Sequence, residues 1–200
     1  KINNHMHYFK YKNNKLYCEN VSIETICKEV GTPVYIYSKR TIVRHFEAFS
    51  KPLKKINHLI CYAVKANSNI SYLKILNQCG AGMDIVSGGE LYRVLKAGVS
   101  PKKIVYSGVG KTEEEIKFAL KTGILLFNVE SEQELKLINE IGKRLRKKAT
   151  ISIRVNPDID PKTHPYISTG LKRNKFGIDI DKAKEVYQVA KKLNYIQISG

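Results

Sequence analysis

The sequence predicts an α/β fold: a (β/α)8 TIM barrel, cut after about six strands. Three observations predict it. Short apolar runs alternate with amphipathic segments along most of the chain, the pattern of βαβ units and a parallel sheet. Helix starts and stops are marked between the runs. The strands also place polar residues on one parity only. An open parallel sheet, covered on both faces, is apolar on both, whereas a barrel tolerates an inward polar face where it lines a site.

Taken in order, Pro33–Tyr37 is an apolar, strand-like run, and Ser38 caps a helix running to about Ser50. This first run stands apart from the alternation. The apolar runs that follow are His58–Val64, Met83–Val86, Ile104–Tyr106, Ile124–Val129, Thr150–Val155 and Ile196–Ser199. Between them, Ile116, Ala119 and Leu120 mark one helical face, and Leu135, Ile138, Ile141 and Leu145 another. Thr112-Glu113-Glu114-Glu115 and Ser131-Glu132-Gln133-Glu134 read as capping boxes. Gly80, Gly98 and Gly123 stand where helices stop. In Thr150–Asn156, Ile151, Ile153 and Val155 share one face, while Thr150, Ser152, Arg154 and Asn156 share the other. In His58–Lys65, Lys65 shares parity with Cys61 and Ala63. Asn156–Gly177, rich in Pro and Asp, is the longest loop, of a length that serves as an active-site lid in other proteins.

Composition bounds the function. Of 200 residues 42% are hydrophobic, enough to bury a core, and the formal charge is +17. That charge flags nucleic acid. Only seven basic residues are arginine, however, and the other 28 are lysine, spread along the chain. Lysine is a hydrated point charge without the planar fork suited to phosphate, so a solvated surface is the better reading. The sequence therefore predicts neither a nucleic-acid partner nor, lacking a long apolar stretch, a membrane one. The N-terminal stretch has no apolar signal region, and Lys1–His5 ahead of Met6 reads as an appended leader. Cys18, Cys27, Cys61 and Cys79 form no C-x-x-C pair, which suits a reducing, cytoplasmic setting and predicts no metal centre.

Two motifs read better as structure. Gly108-Val109-Gly110-Lys111-Thr112 looks like a P-loop tail, but Val105 stands where the first glycine belongs. Asp158, Asp160 and His164 could suggest an oxygen-rich metal site, yet Pro157, Pro161 and Pro165 make a constrained loop. Lys65 is different. It closes the first barrel strand, where barrels carry their chemistry. An inward lysine beside apolar residues is desolvated, which favours a free, nucleophilic amine.

Tyr62-Ala63-Val64-Lys65-Ala66-Asn67 resembles the cofactor-lysine motif of pyridoxal-phosphate enzymes of the alanine racemase type of barrel, in their amino-acid decarboxylase branch. Gly82-Met83-Asp84-Ile85-Val86-Ser87-Gly88-Gly89-Glu90-Leu91 and Arg154-Val155-Asn156-Pro157-Asp158 resemble that branch's second- and fifth-strand motifs. His164–Gly170, followed by Lys175-Phe176-Gly177, resembles the loop of the diaminopimelate decarboxylase family. The resemblance runs from about Gly31 to Gly200. It implies pyridoxal 5'-phosphate as cofactor and decarboxylation of meso-2,6-diaminopimelate to L-lysine. Lys65 matches the lysine joined to the cofactor. Asp84 and Glu90 match positions that support it, although Ser87-Gly88-Gly89-Glu90 is itself a capping box. Arg154 matches an arginine close to the cofactor.

The resemblance further implies an N-terminal segment, 1–37, whose strand joins a C-terminal β-domain, ahead of a cofactor-binding barrel from 38 to 200. It implies a homodimer with shared sites. A ring-stacking histidine, a glycine-rich phosphate cradle, an acidic partner for the pyridine nitrogen and a substrate-carboxylate arginine would follow residue 200. Decarboxylation of ornithine, arginine or a carboxylated polyamine on the same fold is the nearest alternative. A basic nucleic-acid-binding α/β module is the remote one.

Overall fold

The computed structural model describes residues 6–157 and 176–200. The chain divides into two compact units, Lys1–His58 with Gln78–Gly80, and Leu59–Asn77 with Ala81–Gly200.

In the first unit, β1 (Phe9–Lys12), β2 (Lys15–Cys18) and β3 (Val21–Ser22) form an antiparallel meander that the sequence reading did not anticipate. Asn13 and Asn14, both at positive φ (48° and 59°), make the two-residue turn between β1 and β2. Asparagine tolerates that left-handed region, and such turns match the strand twist. Helix α1 (Ile23–Val30) starts at Ser22, whose side chain accepts from Thr25 N, and stops at Gly31. Helix α2 (Lys39–Ser50) starts at Ser38, as its sequence predicts. Ser38 Oγ also donates to Glu19 Oε1 at 2.8 Å. Residues 34–37 belong to none of the three sheets, although Val34, Tyr35 and Tyr37 are exposed. The predicted strand at Pro33–Tyr37 is therefore not formed in this chain, because a strand requires a hydrogen-bonding edge to join.

In the second unit all six predicted barrel runs are strands: β4 (Cys61–Ala63), β5 (Gly82–Ile85), β6 (Ile104–Tyr106), β7 (Leu126–Val129), β8 (Ala149–Ile153) and β11 (Ile196–Ile198). They form one parallel sheet in the order β4-β5-β6-β7-β8-β11. No neighbour is out of turn, as in a barrel and unlike the reversal of a doubly wound sheet. Helices α3 (Ile70–Gln78), α4 (Gly88–Lys96), α5 (Glu113–Thr122) and α6 (Glu132–Leu145) fill the crossovers. After β8 the chain breaks at Arg154, and β9 (Val155–Asn156) pairs separately with β10 (Ile178–Asp179) before α7 (Ile180–Lys191).

The core lies between sheet and helices. Met83, Ile85, Ile104, Tyr106, Phe127, Val129, Ile151 and Ile153 are buried on one strand parity. Leu73, Leu91, Ile116, Leu135, Ile138 and Ile141 are among the buried helical residues that cover them. Each such side chain contributes about 1.5–3 kcal/mol over its exposed state. Packing is close where a glycine sits in α6: a Cβ on Gly142 would meet Lys147 O at 2.8 Å. The alternate parity runs level across the sheet, Ala63 beside Asp84, Asp84 beside Val105 and Asn128 beside Ser152, and stays partly open. Period-two sorting thus separates a core face from a face that can line a site.

One of the two predicted capping boxes forms in full, and the other forms its serine half. Thr112 and Glu115 make the full reciprocal box, and Gly123 ends α5 at φ 74°. Ser131 caps α6 by accepting from Glu134 N. The four cysteines are free. Among the described residues Lys111 is the one buried lysine, and no helix is long and apolar enough to cross a membrane.

Candidate functional site

The open parity ends at a cavity of about 460 Å³ at the C-terminal ends of the strands. Lys65, Asp84 and Arg154 all line it.

Lys65 arrives by a different route from the one its sequence suggests. Strand β4 stops at Ala63, and Val64–Ala66 form a single 3₁₀ turn. Val64 is fully buried and pins that turn, while Lys65 is exposed at the cavity rim. The expected desolvation by apolar neighbours is therefore absent; the turn carries the lysine past the strand's apolar layer.

Asp84, on β5, is held from below. Ser107 Oγ donates to Asp84 Oδ1 at 2.6 Å, and Asn128 Nδ2 donates to Ser107 Oγ at 2.8 Å. An amide nitrogen can only donate, so the asparagine fixes the direction of the serine proton toward the carboxylate. Burial pushes the Asp84 carboxyl up from its ordinary value, against the Ser107 hydrogen bond and the Lys65, Arg154 and Lys111 cations, which pull it down. Beside it, burial and the Asp84 charge push the Cys61 thiol up to about 11, so it stays protonated and inert at neutral pH.

Arg154 sits at the break between β8 and β9. Its Nη1 donates to Glu130 Oε1 at 2.9 Å, and its guanidinium lies over the Phe176 ring, 4.9 Å from the centroid. Glu130 is buried and also accepts from Gly108 N (3.0 Å) and Gly177 N (2.9 Å). Gly177 is at φ 76°, and a Cβ there would meet Arg154 O at 2.9 Å, so the approach requires glycine.

Glu90 faces elsewhere. Its Oε2 accepts from Val86 N at 2.8 Å while Ser87 Oγ accepts from Glu90 N at 3.2 Å, closing the β5–α4 turn. Lys111 is likewise structural. Its Nζ donates to Gly108 O, Asn128 O and Glu134 Oε1, each at 2.8 Å, leaving no proton for a phosphate. His164–Gly170, Asp158, Asp160 and Lys175 lie outside the described residues. Among the described residues no group of three or more His, Cys, Asp or Glu could hold a metal ion.

Sequence reasoning missed Ser107, Asn128 and Glu130. The available signal was parity. Ser107 follows Val105, and Asn128 and Glu130 follow Leu126, all at strand ends on the open face.

Fold and site define a barrel-type α/β domain with its polar groups at the C-terminal strand ends and a primary amine at the rim. The chain belongs to the pyridoxal-dependent decarboxylase family: residues 39–200 match that family's pyridoxal binding domain. It is 53% identical over 193 residues to diaminopimelate decarboxylase of Aquifex aeolicus, covering 96% of this chain and 46% of that one. Among solved structures, diaminopimelate decarboxylase from M. jannaschii in complex with L-lysine matches with a TM-score of 0.89 at 36% identity, over 96% of this chain and 46% of that one. The Helicobacter pylori enzyme with L-lysine matches with a TM-score of 0.84 at 50% identity, over 88% and 44%. The chain thus spans about half the length of the relatives it matches.

The donor set fits a pyridoxal phosphate group. An amine (Lys65) suits its aldehyde, and an arginine with hydroxyl and amide groups suits its oxygens. A pH dependence follows from Asp84. A carboxyl whose pKa is raised on folding favours the folded state below its ordinary value of 3.8 and loses that contribution as pH rises through the raised value. Asp84→Asn keeps an acceptor for Ser107 but cannot ionise. In cofactor-free full-length protein, the thermal midpoint of wild type relative to D84N is expected to fall as pH rises through this range. Glu134 titrates in both proteins and cancels. A difference independent of pH, or of opposite slope, would refute the burial assigned to Asp84.

Proposed function

We propose that this chain supplies the cofactor-binding strands of a pyridoxal-phosphate-dependent decarboxylase that converts meso-2,6-diaminopimelate to L-lysine and carbon dioxide. The convergence of Lys65, Asp84 and Arg154 on one cavity carries this reading. The relatives named diaminopimelate decarboxylase supply the substrate.

Each residue then has a task. Lys65 would hold pyridoxal phosphate through its aldehyde carbon, and its amine would serve as base or acid at the reacting carbon. Arg154 and the Asp84–Ser107–Asn128 chain set the field and orientation at the cavity wall. When bound, pyridoxal phosphate supplies an electron sink for the carbanion left by loss of carbon dioxide. Among the described residues, Lys65 Nζ would return the proton to that carbon.

The motif resemblance implies a cytoplasmic homodimer with sites shared between subunits, and we propose the same here. The exposed Val34, Tyr35 and Tyr37 support an N-terminal segment, 1–37, that completes a separate β-domain.

The test uses full-length protein loaded with pyridoxal phosphate, reduced with borohydride and mapped by mass spectrometry. The adduct is expected on the peptide carrying Lys65. Carbon dioxide release is expected from diaminopimelate ahead of ornithine and arginine. No adduct, or an adduct elsewhere, would sink the cofactor assignment; faster release from ornithine or arginine would sink the substrate.

A further inference from the structure

Glu130 has a place no part of the mechanism above uses. It lies one residue beyond β7, and its side chain is 2% exposed. A carboxylate so buried is tolerated only when compensated. Among the described residues three donors reach it from three segments: Gly108 N after β6, Arg154 Nη1 after β8, and Gly177 N ahead of β10. Only one of the three is a cation. Arg154 is in turn held on a second side by the Phe176 ring. Its side chain is 38% exposed and lines the cavity. A long, rotamer-rich side chain is thus fixed before any ligand arrives.

We infer that Glu130 is a positioning residue: it orients the Arg154 guanidinium toward bound pyridoxal phosphate and keeps it from the neighbouring Asp84. The second clause follows from electrostatics. Asp84 and Arg154 line the same cavity and carry groups of opposite charge. With the Glu130 charge removed, Asp84 is the carboxylate lining the cavity, among the described residues, that Arg154 can approach, and the cation turns away from the ligand. Preorganisation of this kind appears as ligand affinity. The inference rests on the cofactor reading proposed above.

A double-mutant cycle separates orientation of Arg154 from mere fastening of the Gly108 and Gly177 loops. The dissociation constant for pyridoxal phosphate is measured by equilibrium dialysis in full-length wild type, Glu130→Gln, Arg154→Met and the double variant, with thermal midpoints alongside. E130Q is expected to weaken binding about tenfold when Arg154 is present, and less than about twofold when it is methionine. Equal weakening in both backgrounds, or none in either, overturns the inference, since a structural fastener acts whether or not Arg154 is there. Should E130Q lose its fold, Glu130→Asp runs through the same cycle, keeping the charge but drawing it back by one methylene. Wild type that takes up no pyridoxal phosphate overturns the functional reading, and this assignment with it.

Discussion

Lys65→Ala is expected to abolish the borohydride-stable adduct and to lower decarboxylation by about 10³-fold or more in the full-length protein. The size follows from the side chain's two tasks. On the proposed function it would supply the covalent attachment that holds the cofactor, and the amine that moves a proton at the reacting carbon. Both vanish with the ε-amino group. The fold does not depend on it: Val64 carries the burial of the 3₁₀ turn, while Lys65 is exposed. Stability is therefore expected to stay within about 0.5 kcal/mol of wild type, as for surface substitutions away from structural features. Two readouts keep the tasks apart. Mass spectrometry after reduction reports the attachment, and carbon dioxide release reports turnover. A small primary amine added to K65A is expected to restore part of the turnover. An adduct that survives the substitution, or activity within about tenfold of wild type, would remove Lys65 from the chemistry.

Most of the barrel was legible because each of its strands obeys a local rule. The runs at Ile104–Tyr106 and Ile196–Ser199 are short, apolar and bounded by turns, and strands form there. Thr112 and Ser131 sit three residues ahead of a glutamate, and helices start there. Pro33–Tyr37 has the same composition but no strand, because pairing depends on an edge that composition cannot supply. The meander of β1 to β3 was missed for the converse reason. Its exposed Lys, Tyr and Asn residues carry little apolar signal, and its turns depend on backbone angles at Asn13 and Asn14.

The site divides in the same way. Lys65, Asp84 and Arg154 stood in motifs and could be named. Glu130 stood in Val129-Glu130-Ser131-Glu132, one acidic residue among several at a helix start. Its burial depends on Gly108 and Gly177, which are distant in sequence. Parity along β7 would have marked it, since Asn128 and Glu130 follow Leu126 on the open face. The +17 charge did not locate the site, because lysines spread along the whole chain add to it.

Lys111→Met is expected to destabilise the protein by about 3–5 kcal/mol, read by urea unfolding of the full-length chain at neutral pH. The ammonium is completely buried and its three hydrogen bonds are all within the protein. Its removal strands the Glu134 carboxylate, 9% exposed, and two backbone carbonyls. The pH dependence identifies the cause. Burial already pushes the Glu134 carboxyl up, with Lys111 pulling it back. Without Lys111 it rises further, so the penalty is greatest above that raised pKa and shrinks as acid protonates Glu134. The gap between wild type and K111M is therefore expected to narrow on acidification. K111M/E134L is expected to recover most of the loss, because an apolar pair needs no charge partner. A cost under about 1 kcal/mol, or a gap that ignores pH, would refute the buried pair. The consequence reaches the cavity. Lys111 holds the carbonyls of Gly108, where Glu130 attaches, and of Asn128, which orients Ser107 toward Asp84. A lysine that mimics a nucleotide-binding motif in the sequence thus supports the site from beneath, and K111M is expected to weaken pyridoxal phosphate binding without touching the cofactor.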